Sequence, residues 1–241
     1  MRLDQRLVDL GLAESRARAQ ALIKAGAVAV DGVSADKPSR KVAESAAIEL
    51  TGDPIPWVSR AALKLVHALD LWGLDPHGAE ALDVGASTGG FTEVLLARGA
   101  ARVHALDVGH GQLHPRLAAD DRVRNLEKIN AKAIPEGLIP PVDWIVTDVS
   151  FISIAKALPA ALDLAKTGAT LVALIKPQFE VGRARIGKGG IVTDPAAHDE
   201  VRAGARRFLE SAGWAATGEA ESPILGGDGN REFLIAARKT A

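Results

Sequence analysis

The chain has 241 residues, of which 47% are hydrophobic and 24% are charged, and its 29 Lys and Arg nearly balance 30 Asp and Glu. This composition is typical of folded globular domains rather than of a disordered chain, and a net charge of −1 gives no general sign of a nucleic-acid binder. Cysteine is absent, which excludes disulfides, thiolate metal sites and cysteine nucleophiles and is typical of a reducing compartment.

The first 52 residues predict a small α+β domain. Leucines recur at helical spacing from Leu3 to Leu10, and a second helical pattern, "ESRARAQALIKAG", ends at Gly26. The segments "AVAVDG" and "AAIEL" have the patterns of short strands. Residues 53–58, which follow in a stretch rich in proline, are the predicted linker.

The N-terminal segment "MRLDQRLVDLG" carries charges at every turn and lacks the apolar core of a secretory leader. No run in the chain approaches the roughly 18 apolar residues of a membrane span. A cytoplasmic protein that does not bind membranes is therefore expected.

Residues 59–241 alternate between strand-like and helix-like patterns. Strand-like segments include "EALDVGA", "RVHALDVG", "VDWIVTDVS" and "TLVALIKP", and helix-like segments include "FTEVLLARG", "ISIAKALPAALDLAKTG" and "AHDEVRAGARRFLESAG". This alternation predicts an α/β domain with a Rossmann-like, mostly parallel sheet and helices on both faces. The last two strands, around Trp214–Glu221 and Arg231–Arg238, follow each other without a helix and are expected to pair antiparallel at the end of the sheet.

A glycine-rich turn follows the first strand of this domain, in "LDVGASTGGFTEVLL". It is not the G-x-G-x-x-G of a dinucleotide site, and Asp83 in the strand and Asp107 at the end of the next strand suit a cationic amino acid moiety and a ribose diol. These features favour S-adenosylmethionine over a phosphate-bearing nucleotide, although the glycines alone could be turn residues. The predicted cofactor-binding residues are Asp83, Gly85, Ser87, Thr88, Gly89, Asp107 and Asp148.

The methyl acceptor is predicted from what the later strand ends carry. The fourth strand is followed by "TDVSF", without the prolines often found in base amino methyltransferases, and carbon-5 methylation would need a cysteine. A hydroxyl acceptor remains, and it calls for a base such as Lys176, which ends the apolar run "TLVALI". Asp148 ends the neighbouring strand and could orient the lysine. Lys64 and Glu232 are two further candidates, but taken alone Lys64 is better interpreted as a solvated helix residue and Glu232 as an edge-strand charge.

Six blocks of sequence carry a resemblance to a known family: "SRAALKL", "LDVGASTGGFTEVLL", "DVSFIS", "KPQFE", "GGIVTDP" and "GNREFL". In this order and spacing the chain resembles the TlyA family of haemolysin-like rRNA methyltransferases, whose catalytic domain is similar to the FtsJ type of ribose 2′-O-methyltransferase. The resemblance implies a catalytic tetrad of Lys64, Asp148, Lys176 and Glu232 and a position for Asn130 near the adenine. No metal is expected, since an amine base in a preorganised pocket suffices. One departure is Ala61-Ala62, where the family usually has two glycines.

The N-terminal segment "SRARAQALIKAGAVAVDG" resembles the RNA-binding domain of a small-subunit ribosomal protein and of several pseudouridine synthases. A second basic segment, "VGRARIGKGGIV", follows the proposed catalytic lysine and could close over RNA or be a plain surface loop. Arginine and lysine side chains can contact RNA phosphates, so a set of basic residues in and around these segments is predicted to bind RNA. The set is Arg6, Arg16, Arg18, Lys24, Lys37, Arg40, Lys41, Arg60, Arg183, Arg185 and Lys188.

The function expected from these patterns is transfer of a methyl group from S-adenosylmethionine to a ribose 2′-hydroxyl of ribosomal RNA, on cytidine if the resemblance holds. The expected partners are ribosomal RNA or ribosomal subunits, with no obligate protein partner. An alternative is an RNA-binding ribosome-assembly factor whose methyltransferase fold is idle. Membrane lysis, suggested by the family's older name, finds no support in an amphipathic basic helix or an apolar span.

Overall fold

The computed structural model describes residues 1–13, 15–51 and 56–240, so the predicted linker at 53–58 lies partly outside the described residues. The chain divides into two compact units, Met1–Pro56 and Trp57–Ala241. Each unit has its own apolar core.

The smaller unit packs two helices against a three-stranded antiparallel sheet. Its core is formed by apolar side chains of both helices and the first strand, such as Leu7, Ile23 and Val28, which are fully buried. The sheet has the order β2-β1-β3. The elements are α1 (Leu3–Asp9), α2 (Arg16–Lys24), β1 (Val28–Val30), β2 (Val33–Ser34) and β3 (Ile48–Leu50).

The larger unit is built on a seven-stranded sheet. Its strands are β4 (Glu80–Val84), β5 (Arg102–Asp107), β6 (Val123–Glu127), β7 (Val142–Thr147), β8 (Ala165–Ile175), β9 (Trp214–Glu221) and β10 (Phe233–Lys239). The order is β6-β5-β4-β7-β8-β10-β9, with the first five strands parallel and β10 antiparallel to both of its neighbours. The predicted antiparallel final pair is therefore confirmed, and the later of the two strands lies inside the sheet.

Helices cover both faces of this sheet. Alternate residues of a strand point to opposite faces, and on β7 Ile145 belongs to one apolar cluster while Trp144 and Val146 belong to the other. The predicted Rossmann-like α/β fold is thus confirmed. The helices are α3 (Ala62–Trp72), α4 (Gly90–Ala97), α5 (Pro115–Ala118), α6 (Ile154–Ala157), α7 (Pro159–Asp163), α8 (Pro177–Glu180) and α9 (Pro195–Ser211), with two 3₁₀ helices, Arg183–Arg185 and Lys188–Gly190.

One predicted boundary is wrong. The segment "ISIAKALPAALDLAKTG" has a helical pattern throughout, but it contains two short helices, and β8 already begins at Ala165. Pro159 has no N–H to continue α6 and instead starts α7. On β8, the pairing with β7 passes from Ala165 directly to Thr170, so residues 166–169 lie outside the regular ladder. These residues lack the alternating pattern of a strand, and the sequence therefore does not indicate where β8 begins.

Candidate active site

The carboxyl ends of the parallel strands lie at one edge of the sheet, and charged residues follow them there. Asp148 comes directly after β7, and Lys176 comes directly after β8. Strand β10 runs in the opposite direction, so its beginning lies at this same edge. Phe233 pairs with Ile175, which brings the preceding residue, Glu232, to the level of Lys176.

Four charged side chains form a continuous row at this edge. Glu232 Oε2 lies 2.6 Å from Lys64 Nζ, which lies 3.6 Å from Asp148 Oδ2, and Asp148 Oδ1 lies 2.5 Å from Lys176 Nζ. The order of signs is negative, positive, negative, positive. Both lysines and Glu232 are buried, and Asp148 is mostly buried. Burying charges is costly unless they are paired, and here each charge contacts one of opposite sign.

Ser150 adds a contact to this row that the sequence pattern did not identify. Lys176 Nζ donates a hydrogen bond of 2.8 Å to Ser150 Oγ, in addition to its contact with Asp148. The strand end after β7 therefore holds the amine through two side chains. A serine two residues after the strand-end aspartate was the only sequence signal for this contact.

The glycine-rich turn after β4 brings backbone close to the same edge. Gly85 has φ +83°, and a Cβ built there would lie 3.1 Å from Val149 Cγ1, so the position is strained and tight for any other residue. Ser87 has φ +49°, and its N–H donates a 2.8 Å hydrogen bond to Asp107 Oδ2. Gly89, with φ +96°, lies against the side chains of Leu113 and Leu117 at the start of α4.

Asp83 is buried beneath this turn with half of its carboxylate unused. Its Oδ2 accepts a 2.7 Å hydrogen bond from Thr92 Oγ1, while its Oδ1 is buried and has no hydrogen-bond partner among the described residues. Burial raises the pKa of Asp83 to about 7, outweighing the hydrogen bond from Thr92. A cationic ligand group at Oδ1 would supply the missing partner.

Two cavities open at this edge. The smaller, of about 220 Å³, is lined by Asp83, Thr88 and Lys176 among others, and the larger, of about 520 Å³, is lined by Asp107 and Asn130 among others. They share four lining residues: Gly85, Ser87, Asp148 and Ser150. A ligand with an amino acid end and a nucleoside end can therefore place the first beside Asp83 and the second beside Asp107. S-adenosylmethionine is such a ligand, and the unused Asp83 oxygen fits its cationic amine.

In the larger cavity, Asp107 and Asn130 each make local hydrogen bonds. The Asp107 carboxylate accepts N–H donors from Ser87 and Gly109, at 2.8 and 2.7 Å, and Asn130 Oδ1 accepts one from Lys132, at 3.0 Å. These bonds fix both side chains at the wall of the cavity. Each oxygen retains a further lone pair that can accept a hydrogen bond from a ligand.

An exposed aromatic residue also lines the larger cavity. Phe151 is 90% exposed, has φ +65°, and its ring centroid lies 5.1 Å from that of Phe179. A bulky residue at positive φ is uncommon and carries backbone strain, which often marks a functional site. The sequence block "DVSFIS" contains this residue without indicating its role, because neither exposure nor a positive φ can be derived from the pattern.

Ala61 stands where the family usually has glycine, and it causes no strain in the backbone. Ala61 has φ −55° and ψ −32°, a helical conformation that alanine adopts freely, so glycine is not required for backbone freedom there. Ala61 and Ser59 line the smaller cavity. A Cβ added at Gly90 would lie 3.1 Å from the Ala62 nitrogen, so the close approach in this region is made by Gly90.

The basic residues predicted to bind RNA in the larger unit differ in how they are paired. Arg183 and Lys188 are exposed, whereas Arg185 forms ion pairs with Asp194, at 2.9 Å, and with Glu200. Arg60 is exposed and donates a 3.1 Å hydrogen bond to the backbone oxygen of Leu225. The charge of Arg185 is therefore compensated locally.

In the smaller unit, several of the predicted residues are exposed: Lys24, Lys37, Arg40 and Lys41. Arg6 is half-buried and donates a 2.9 Å hydrogen bond to the Glu44 backbone oxygen, and Arg18 is half-buried on α2. Arg16 is exposed and contacts the buried Asp4 at 3.3 Å. The sequence pattern gives no sign of this contact.

In residues 1–13, 15–51 and 56–240, no helix combines the length and the apolar character needed to cross a membrane.

Comparisons with known proteins match both units. Residues 57–239 match the FtsJ-like methyltransferase family, and residues 1–48 match the S4 domain. The chain is 46% identical over 236 residues to the 16S/23S rRNA (cytidine-2′-O)-methyltransferase TlyA of Mycobacterium tuberculosis, covering 97% of this chain and 88% of that protein. It is 42% identical to Hemolysin A of Brachyspira hyodysenteriae, covering 97% and 98%. A solved structure from Streptococcus thermophilus, provisionally described as a hemolysin, superposes with a TM-score of 0.79 at 39% identity, covering all of this chain and 88% of that one.

Proposed function

The chain belongs to the TlyA family of S-adenosylmethionine-dependent, FtsJ-like methyltransferases, and we propose that its substrate is ribosomal RNA, methylated at a ribose 2′-hydroxyl. Cytidine is the proposed nucleoside, because the mycobacterial relative is named for methylating cytidine at this position. We further propose residues 1–52 as an RNA-binding domain and 59–241 as the catalytic domain.

The observation that carries this proposal is the buried row of Lys176, Asp148, Lys64 and Glu232 beside the two cavities. A hydroxyl is a weak nucleophile, and its attack on a methyl group is assisted by a base within hydrogen-bond reach. Among the four side chains, Lys176 lines the smaller cavity and its Nζ is the group suited to face a hydroxyl there. S-adenosylmethionine, when bound, supplies the methyl group.

The proton and the bonds can be followed through the proposed reaction. Lys176 first gives up its ammonium proton to solvent, and its neutral amine would then take the proton of the 2′-hydroxyl as that oxygen accepts the methyl group that bound S-adenosylmethionine would supply. Asp148 and Ser150 fix the position of the Lys176 nitrogen, and Asp148 stabilises the ammonium that forms. The proton then leaves to solvent.

Lys64 and Glu232 do not contact the hydroxyl in this scheme and act on it through Asp148. Lys64 contacts the Asp148 oxygen that does not face Lys176, and Glu232 in turn contacts Lys64. Together they hold the Asp148 carboxylate at one angle. Preorganised groups of this kind lower the barrier because they need no rearrangement during the reaction.

The cofactor is proposed to bind along the two connected cavities. Asp83 would hold its amine, Gly85, Ser87 and Thr88 would allow close backbone approach, and Asp107 and Asn130 would contact the ribose and the adenine. On the RNA side, the exposed Phe151 ring offers a surface on which a base can stack.

Mapping of 2′-O-methyl groups on ribosomal RNA tests the proposal. The purified chain with S-adenosylmethionine should add a methyl group to unmodified ribosomal RNA or subunits at a defined ribose, and Lys176→Ala should not. Isothermal titration calorimetry with S-adenosylmethionine tests the alternative, in which the chain is an assembly factor with an idle methyltransferase fold. If no cofactor binds even with RNA present, or if the methyl group appears on a base, the proposal is wrong.

A further inference from the structure

Asp4 is a fully buried carboxylate at the start of α1, and it binds two arginines at once. Arg2 donates through Nε to Oδ1 and through Nη2 to Oδ2, both at 2.9 Å, and Arg16 Nη2 lies 3.3 Å from Oδ2. Gln20 Nε2 also donates to Oδ2 at 2.9 Å, and the Gln5 N–H donates to Oδ1 at 3.0 Å. Arg2 holds the pKa of Asp4 well below its usual range, so the carboxylate is charged at neutral pH.

This arrangement joins two parts of the chain that the fold brings together. Arg2 precedes α1 and Arg16 is the first residue of α2, and their side chains remain 47% and 54% exposed. An arginine has five N–H donors, of which Asp4 receives two from Arg2 and one from Arg16. Among the described residues, Asp4 is the hydrogen-bond partner of both guanidinium groups, which leaves their other donors open to a ligand, and two positive charges stand there against one negative charge.

We propose that Asp4 is a positioning residue that sets Arg2 and Arg16 as a pair for binding RNA phosphate, an inference that rests on the proposed RNA substrate. A guanidinium group recognises a phosphate best when its planar fork is already oriented. A free arginine loses rotamer freedom on binding, and this loss is smaller when a buried carboxylate has already fixed the side chain. Asp4 therefore strengthens RNA binding although its own charge repels phosphate.

Positioning and bulk charge predict opposite effects for one substitution. Asp4→Asn raises the net charge of the unit by one, so charge alone predicts tighter binding to RNA. Positioning predicts weaker binding, because Arg2 and Arg16 lose their common partner. Asp9→Asn is the matched control, since Asp9 lies exposed on the same helix, bonds only to the Gln5 side chain among the described residues, and changes the charge by the same amount.

The measurement is the dissociation constant for an RNA stem-loop as a function of salt concentration, with the full-length chain. The slope of log K against log salt reports how many phosphates the protein neutralises, and it falls by about 1 for each phosphate that is no longer neutralised. We expect Asp4→Asn to weaken binding several-fold at low salt and to reduce the slope by about 1 to 2, with Asp9→Asn unchanged or slightly tighter. At saturating RNA, the methylation kcat should be unchanged while the KM for RNA rises.

A second variant keeps the test decisive if Asp4→Asn fails to fold. Arg2→Gln leaves Asp4 bonded to Arg16 and Gln20, and it should reduce the slope by about 1 in a chain that is still folded, which circular dichroism checks. A slope equal to that of the unsubstituted chain in Arg2→Gln, or in folded Asp4→Asn, overturns the inference. Salt-independent or undetectable RNA binding by the unsubstituted chain instead overturns the proposed RNA substrate, and the role of Asp4 with it.

Discussion

Lys64 Nζ lies 2.6 Å from Glu232 Oε2, although 168 residues separate them in the chain. Both side chains are almost completely buried. Because a buried charge is costly without a partner, each residue makes the position of the other possible. The pair holds helix α3 against the beginning of β10 and completes the charged row that reaches Lys176.

The first prediction concerns this pair. Glu232→Ala leaves a buried ammonium without its nearest partner and should lower the free energy of unfolding by about 3–5 kcal/mol, measured by urea denaturation. The double substitution of Lys64→Met with Glu232→Leu removes both charges, so it should recover most of the stability while remaining inactive. Arg231→Gln is the control, because the neighbouring ion pair with Glu221 is exposed and its loss should leave stability nearly unchanged. A double variant as unstable as Glu232→Ala would contradict the prediction.

The second prediction concerns the proposed base. Lys176→Ala should lower kcat by roughly 10²- to 10⁴-fold, because proton transfer then falls to water, and should leave the dissociation constant of S-adenosylmethionine nearly unchanged. Lys166→Ala is the matched control, since Lys166 lies in β8, the strand that Lys176 follows, is half-exposed, and pairs with Asp143 away from the site. Single-turnover methylation and calorimetry measure the two quantities. Full activity in Lys176→Ala would exclude its role as the base.

The third prediction concerns pH. Because burial raises the pKa of Asp83 to about 7, its carboxylate is mostly protonated at pH 6 and mostly ionised at pH 8. A cationic amine binds the ionised form, so the affinity for S-adenosylmethionine should rise with pH across this range. Asp83→Asn should bind more weakly and lose this dependence on pH. Calorimetry at several pH values tests it, and a pH-dependent affinity that survives in Asp83→Asn would assign the effect to another group.

The same carboxylate has an opposite effect on the cofactor-free protein. Its folded pKa is raised from 3.8, so its contribution to stability is present in full below pH 3.8 and is lost as the pH rises through about 7. Asp83→Asn avoids this loss and should melt at a higher temperature than the unsubstituted chain at pH 8. Each kcal/mol gained corresponds to roughly 2–4 °C for a domain of this size.

The fourth prediction separates two costs of replacing a glycine. Gly85→Ala introduces both the strain of a positive φ and a close approach to Val149. Gly137→Ala, at φ +71°, introduces only the strain, because no atom of a described residue outside its chain neighbours lies within 4 Å of the new Cβ. Gly85→Ala should therefore destabilise the protein more than Gly137→Ala does. It should also weaken cofactor binding, which Gly137→Ala should not. If the two substitutions lower the melting temperature equally, the Val149 side chain moves aside at little cost and the prediction is wrong.

Much of the fold could be predicted because the larger unit alternates regular patterns. Parallel strands separated by helices must end at one edge, so Asp107, Asp148 and Lys176 could be assigned to a common edge without any structure. The start of β8 at Ala165 could not, because residues 166–169, which follow it, lie outside the regular ladder and show no alternating apolar pattern. Amphipathic patterns identify elements that pack with one apolar face, and this stretch has no such face.

The site was less predictable than the fold. From the sequence, Lys64 could be a solvated helix residue and Glu232 an exposed charge on an edge strand. Their buried contact across the fold excludes both interpretations. Ser150, Thr92 and Asp4 act by hydrogen bonds to a charged partner, and a short polar side chain gives no sign in the sequence of which partner it will meet.

The placement of β10 inside the sheet also sets an order of events during synthesis. At ribosomal rates of about 5–20 residues per second, Glu232 is made roughly 10 to 30 seconds after Lys64. Throughout that interval Lys64 lacks its principal partner, and once β8 has been made it has an open edge until β10 follows. The methyltransferase unit can therefore close only late in translation, long after the smaller unit has been made, so a chain stalled before Glu232 should lack methyltransferase activity.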